Sequence, residues 1–266
     1  MKVAVLGANG YLGKFLVNSL QHDKYNVLPV TRKTVNINSY SAVKTWLETN
    51  RPNAVINCAT SIRIADIQTN EVNYDDLRNN VNIFMNFYNT NLFDKFINIG
   101  SGAEFDKRNN ITEADEGDIL TAQPIDSYGY SKNLISRLVL NHDKFYTLRL
   151  FGCFDVSESP ARLFHKLRTE PIINIEDKQF DYFGARDFYR VIEYYLNNQV
   201  LYKDINCVYK EKQSLNQIVN IFNNYHKTSS VINITGVGKN YTGNGYKLSN
   251  MNIKLKGLVE SMKEYK

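Results

Sequence analysis

A chain of 266 residues, 43% of them hydrophobic, can bury a full core as one large domain or as one domain with a small appendage. Its net charge of +5 suits an anionic substrate but is too mild and too scattered for nucleic-acid binding, and no apolar run approaches the roughly 18 residues that span a bilayer. Three distant cysteines, Cys58, Cys153 and Cys207, fit neither a disulfide framework nor a zinc site. With a start that leads straight into a strand and shows no signal-peptide pattern, they predict reduced thiols in a cytoplasmic protein.

The first element is a short apolar run, Val3 to Leu6, that stops at Gly7. Glycines recur at Gly10 and Gly13, and Leu12, Phe15, Leu16 and Leu20 then follow at the spacing of one helix face. This is strand, tight turn, helix. A side chain in such a turn would block a pyrophosphate from the backbone N–H groups and the helix N-terminus. Three glycines alone also describe a plain tight turn; their place between strand and helix favours a dinucleotide site.

Asn26 to Val30 reads as a second strand, and Pro29 suits an end or an edge. It leads to Thr31-Arg32-Lys33. An acidic residue at this point holds the ribose 2′-OH of NAD, whereas Arg accommodates the 2′-phosphate of NADP. Two cations and no carboxylate stand here, so NADP is favoured over NAD, with a charged surface loop as the other reading. Val35 to Asn38 reads as a short third strand and Tyr40 to Thr49 as a helix. Ala54 to Thr60 reads as a buried strand whose small end, Cys58, Ala59 and Thr60, leaves room for a ligand. Asn73 to Asn91 is helical by spacing, and Phe96 to Ile99 is a strand ending at Gly100-Ser101-Gly102.

The loop from Ala103 to Ser127 clusters Glu113, Asp115, Glu116 and Asp118, read as solvated carboxylates rather than metal ligands. Tyr128 to Leu140 is a helix and Tyr146 to Phe151 a strand. Such alternation predicts an α/β fold with a doubly wound parallel sheet. After about residue 155 helices dominate (162–168, 187–196, 215–225), with short strands at Ile172 to Ile175 and Cys207 to Tyr209, and a smaller lobe is expected.

Tyr128 and Lys132 stand four apart and share one helix face. A nearby ammonium favours phenolate, so Tyr128 reads as a general acid or base with Lys132 as its tuner, while Tyr130 points away. That spacing alone also describes a surface helix. The N-terminal glycine turn, and Ser101 at a strand end 27 residues before Tyr128, favour the catalytic reading.

Together these stretches resemble the extended short-chain dehydrogenase/reductases of the NAD(P)-dependent sugar epimerase/dehydratase group. The resemblance is carried by Gly7-Ala8-Asn9-Gly10-Tyr11-Leu12-Gly13, Asn57-Cys58-Ala59-Thr60, Gly100-Ser101-Gly102-Ala103-Glu104-Phe105, Tyr128-Gly129-Tyr130-Ser131-Lys132 and Leu148-Arg149-Leu150-Phe151-Gly152. It continues weakly at Ser214-Leu215 and from Lys247 to Leu258. It implies a Rossmann-type dinucleotide-binding domain over residues 1–154. It also implies a small mixed α/β lobe over 155–266, interleaved with the first, that binds a nucleotide-activated sugar. Ser101, Tyr128 and Lys132 fall on its catalytic positions. Gly7, Asn9, Gly10, Tyr11, Leu12, Arg32, Asn36, Ile37, Cys58, Ala59 and Thr60 fall on its cofactor positions, shared by Tyr128 and Lys132. A supporting helix Asn of the family matches Asn79 or Asn80, and no metal is implied.

Departures from the family narrow the chemistry. Its 4,6-dehydratases carry Asp-Glu directly after the residue matching Ser101, and its fucose-synthase-like members carry a Cys there; this chain has Gly102-Ala103. Cys153 and His165 read as core residues. What remains is hydride transfer from NADPH to a nucleotide-linked 4-keto-6-deoxy sugar. A C4 epimerase with retained NAD is the alternative, and a non-catalytic dinucleotide-sensing protein is the alternative of another class. Neither the sugar nor the oligomeric state, a homodimer among the possibilities, is set by the sequence.

Overall fold

Val3, Ala4, Val5 and Leu6 are all fully buried, which a strand achieves only when both faces of its sheet are covered. The structure, a computed structural model, describes residues 1–61, 73–228 and 230–265. Its strands are β1 (Lys2–Leu6), β2 (Asn26–Val30), β3 (Ala54–Asn57), β4 (Lys95–Ser101), β5 (Ile111–Ala114) and β6 (Phe145–Leu150). There follow β7 (Gly152–Phe154), β8 (Ile172–Asp177), β9 (Tyr182–Gly184), β10 (Asp204–Asn206), β11 (Val231–Val237) and β12 (Tyr241–Gly243). The helices are α1 (Tyr11–His22), α2 (Tyr40–Asn50), α3 (Tyr74–Thr90), α4 (Ser127–Leu140) and α5 (Leu163–Thr169). They continue with α6 (Ala185–Asn197), α7 (Leu215–His226), α8 (Tyr246–Ser249) and α9 (Leu258–Lys263). None of them is long and apolar enough to cross a membrane among the described residues.

The large sheet has six parallel strands in the order β10-β6-β4-β3-β1-β2. Side chains alternate between its faces. Val3, Val5, Ile56 and Leu148 meet Leu16, Val17 and Leu20 of α1 and Phe188, Val191 and Tyr195 of α6. Ala4, Leu6, Val55 and Phe96 meet Val43 and Leu47 of α2, Phe84 and Phe87 of α3, and Ile135 and Val139 of α4. This is the doubly wound Rossmann-type arrangement. Side chains set where the helices begin. Ser39 accepts from the Ala42 N–H, Asn73 from those of Asp75 and Asp76, and Asp126 from that of Gly129.

Pro29 lies on the edge strand, where a missing N–H leaves no gap in the ladder. The strand expected at Val35 to Asn38 does not form. Asn36 instead closes a turn, its side chain accepting from the Asn38 N–H at 3.1 Å and its carbonyl from the Ser39 N–H at 3.1 Å. The strand expected at Cys207 to Tyr209 lies three residues earlier, as β10, and joins the large sheet beside β6.

The remaining elements build a second core. In it, Phe164 and Leu167 of α5, Ile173 and Ile175 of β8, and Ile218 and Phe222 of α7 pack together. Strand β11 pairs with β8, and β12 crosses back to pair with β5 in the loop after β4. Within that loop Glu116 corrects the reading of its carboxylates as solvated. It is buried, accepts from the Asn206 N–H at 2.9 Å and pairs with Lys247 at 3.3 Å.

Candidate active site

Strand order reverses at β1, whose neighbours β2 and β3 follow it on opposite sides, so a crevice opens at the carboxyl ends of β1 and β3. Gly7 turns the chain there with φ 73°, and a Cβ on it would come within 2.8 Å of the Ala59 nitrogen. A Cβ on Gly13 would lie 2.2 Å from the Gly7 carbonyl oxygen. The first turn of α1 thus packs directly on the glycine turn. Gly10 is the N-cap residue and no side chain caps the helix, which leaves first-turn N–H groups available to an anion. The Tyr11 hydroxyl is buried with no hydrogen-bond partner among the described residues, and the Arg162 guanidinium stands 5.6 Å from its ring. Uncapped first-turn N–H groups, on a turn packed too tightly for side chains at Gly7 and Gly13, fit a dinucleotide pyrophosphate.

The other expected cofactor positions surround this turn. The Val30 carbonyl accepts from the N–H groups of Gly7 (3.1 Å) and Ala8 (3.2 Å), which brings exposed Arg32 and Lys33 alongside. Asn36 lies in the turn after them, and the Ile37 carbonyl accepts from Asn86 at 2.9 Å. Cys58 donates its N–H to Leu6 at 3.1 Å, and Ala59 donates to the Asn57 side chain at 3.2 Å. Burial pushes the Cys58 thiol up to about 12, so it is neutral and inert. Thr60 donates to Asn80 Oδ1 at 3.4 Å. Asn80, not Asn79, is the buried member of that pair; its amide also reaches Ser131 of α4 at 3.2 Å, tying the β3 end to the helix that carries Tyr128 and Lys132.

Ser101 ends β4 inside a reciprocal cap. Its hydroxyl accepts from the Ala103 N–H at 3.2 Å, and its own N–H donates to Glu104 at 2.8 Å. Glu104 is fully buried and paired with Arg149 at 2.7 Å, which in turn reaches Asp204 at 2.9 Å and Asn206 at 3.0 Å. Isolated charges could not stay in that interior; the network keeps them and fixes the Ser101 backbone. A Cβ side chain extending from Gly102 would need the space of the Phe151 ring, which lies 2.4 Å from that Cβ position.

Tyr128 lies half-buried in the first turn of α4, and Tyr130 is 47% exposed, turned away as the helical period requires. Lys132 lies below Tyr128, its ammonium 5.9 Å from the ring centroid and donating to the Ile99 carbonyl at 2.7 Å. The expected tuning is corrected here. Burial raises the Tyr128 phenol above its ordinary value, and the group that lowers it most is the Ser101 hydroxyl. Lys132 is itself buried, which lowers its own pKa and weakens its hold on a charge.

Sequence reasoning missed Tyr241. It lines a cavity of about 660 Å³ together with Ser101, Phe151 and Phe180, rimmed by Lys107, Lys178 and Lys239. Its phenol is raised by burial and, like that of Tyr128, is pulled back by the Ser101 hydroxyl. Nothing local marks this residue, since β12 reaches the site through pairing with the distant β5 and a bridge to Phe180. Cys153 is buried core, as expected, with its thiol pushed up to about 12, and His165 lies half-buried on α5. Among the described residues no group of three His, Cys, Asp or Glu side chains could hold a metal ion.

A glycine turn at a sheet crevice, with Ser101 at the end of the next-but-one strand and Tyr128 and Lys132 on the helix beside it, defines a dinucleotide-dependent enzyme of the extended short-chain dehydrogenase/reductase type. The chain belongs to the NAD dependent epimerase/dehydratase family, whose model matches residues 3–206. No curated protein matches it by sequence. Among solved structures it is similar to a GDP-mannoheptose C4 reductase from Campylobacter jejuni with NADP bound, at 18% identity and TM-score 0.79 over 99% of this chain and 96% of that one. A dTDP-4-dehydrorhamnose reductase from Clostridium acetobutylicum is similar at 19% identity and TM-score 0.80, over 100% and 98%. A UDP-glucose 4-epimerase from Thermotoga maritima is similar at 15% identity and TM-score 0.80, over 100% and 97%.

Proposed function

We propose that this enzyme is an NADPH-dependent reductase of a nucleotide-linked 4-keto-6-deoxy sugar. The observation that carries the reading is Ser101 at a cavity where residues 102 and 103 supply neither acid, base nor thiol, beside the helix of Tyr128 and Lys132, which Lys132 ties to the end of the same strand through the Ile99 carbonyl at 2.7 Å. Ser101 holds the keto oxygen by a hydrogen bond. Tyr128, kept protonated by burial, donates the proton that the reduced oxygen requires. The phenolate left behind regains its proton from solvent after the product leaves. Gly7, Asn9, Gly10, Tyr11 and Leu12 would hold the dinucleotide at its pyrophosphate, Asn36, Ile37 and Cys58 to Thr60 would line its crevice, and Lys132 would hold its nicotinamide ribose. Bound there, NADPH supplies the hydride. Arg32 favours NADP over NAD, and a relative of the same fold, the GDP-mannoheptose reductase, has NADP bound. Lys107, Lys178 and Lys239 at the cavity rim suit the diphosphate of an activated sugar.

A C4 epimerase would use the same three residues, and the similarity to a UDP-glucose 4-epimerase keeps that second reading. Against it stands the absence of a carboxylate where Arg32 lies. Incubation with NADPH and a panel of nucleotide-linked 4-keto sugars, with the product identified by NMR, tests the proposal. The 4-hydroxy sugar is expected; a panel left wholly unreduced would contradict it.

A further inference from the structure

Helix α4 carries two pairs of residues four apart, and each pair forms its own stripe along the helix. Tyr128 and Lys132 make one. Gly129 and Asn133 make the next, and this second stripe lies against the turn that holds Ser101. A Cβ on Gly129 would come within 2.5 Å of the Ala103 carbonyl oxygen, so helix and turn meet backbone to backbone there. One helical turn further on, the buried Asn133 amide donates to two carbonyls, those of Glu104 and Ile119, each at 3.0 Å. Two carbonyl partners fix which end of the amide is the nitrogen.

Those carbonyls belong to two short helical turns in the segment between β4 and α4. The first, over residues 102–104, is capped by Ser101, whose hydroxyl accepts from the Ala103 N–H at 3.2 Å and whose own N–H donates to the Glu104 carboxylate at 2.8 Å. The second, over residues 116–120, contains Ile119. Glu104 is thus held at both ends. Its carboxylate grips the Ser101 backbone, and its carbonyl is gripped by the helix of Tyr128. Lys132 adds a second tie from the same helix, to Ile99 two residues before Ser101.

We propose that Asn133 is a positioning residue that sets the spacing between the Ser101 and Tyr128 hydroxyls. It fastens the serine turn to the helix that carries the tyrosine, and Gly129 keeps that contact close. A hydrogen bond to the keto oxygen and a proton delivered to the same oxygen require both hydroxyls to reach one atom, and a displacement of about 1 Å can cost around a hundredfold in rate. This rests on the reductase reading above. Asn133 is 3% exposed and acts only through the turn that it holds.

The test is single-turnover oxidation of NADPH with a keto sugar that the parent accepts, with rates expressed per NADPH-binding site so that unfolded protein does not count. Asn133→Leu, close in volume and unable to donate, should lower kcat about tenfold and leave KM and the NADPH Kd within about twofold. Ser101→Ala should lower kcat about a hundredfold. Adding Asn133→Leu to Ser101→Ala should slow that variant by less than about threefold, because no serine hydroxyl is left to place. Gly129→Ala forces the same contact apart from its other end. It serves as the independent variant should Asn133→Leu fail to fold, and the same loss of kcat and the same failure to multiply are expected of it. A parental kcat, losses that multiply with Ser101→Ala, or an effect confined to KM would each overturn the proposal while leaving the reductase reading intact. A parent inactive toward every keto sugar would overturn both.

Discussion

At Tyr128, burial and the Ser101 hydroxyl pull in opposite directions, and burial prevails. That balance suits a proton donor, because the phenol reaches the reaction with its proton in place. Tyr128→Phe should reduce turnover by about 10²–10⁴-fold and leave NADPH binding nearly intact, by calorimetry. Lys132→Ala should harm both, whereas Tyr130→Phe, changed on the exposed face, should alter turnover little. Near-parental turnover in Tyr128→Phe would make the phenol structural. Arg32 governs a different property. A charge-assisted contact contributes about 1.5–3 kcal/mol, so the parent should prefer NADP over NAD by roughly tenfold to a hundredfold, and Arg32→Ala should erase most of that. Equal affinities in the parent would instead favour the epimerase.

Among the elements, the turn between β1 and α1 was the most legible. Glycines at 7, 10 and 13 announce it, and the structure gives Gly7 and Gly13 separate steric reasons: a positive φ and a close approach of helix to turn. Gly10→Asp would set a carboxylate at the helix N-terminus where a phosphate belongs, and NADPH binding should be lost; tight binding by that variant would place the site elsewhere. The strand expected at Val35 to Asn38 was misread because apolar alternation over four residues is weaker than the turn chemistry of Asn36. β12 was not legible at all, since its partner β5 lies more than a hundred residues earlier in sequence. Asp181 secures β12 by accepting from the Gly243 N–H at 2.9 Å and from Lys212 at 2.8 Å. Burial raises its carboxyl to about 6 despite Lys212. The folded chain therefore binds this proton more tightly than the unfolded one. The resulting stabilisation is complete below about pH 3.9 and is lost as the pH rises through about 6. Between about pH 5 and 7 the thermal midpoint of the parent should fall relative to that of Asp181→Asn, which has no proton to release. Parallel curves for the two would show that the carboxyl is not shifted.

For the whole molecule, the period of strands and helices revealed the doubly wound sheet, and the spacing of Ser101, Tyr128 and Lys132 revealed the candidate centre. What stayed hidden depends on contacts between distant segments. Arg149 reads as one more strand residue, yet it is fully buried between Glu104 and Asp204 and so ties β6, the cap on Ser101 and β10 into one charged core. Asn80 likewise reaches Ser131 only when α3 packs beside α4. The account's central claim is net reduction, in which a hydride is consumed rather than returned. The most direct measurement is therefore the stoichiometry of cofactor oxidation against sugar converted, with the purified enzyme, NADPH and an accepted nucleotide-linked 4-keto sugar. One NADPH oxidised for each sugar converted to its 4-hydroxy form is the predicted result; sugar converted with no net change in the cofactor would identify an epimerase and contradict the account.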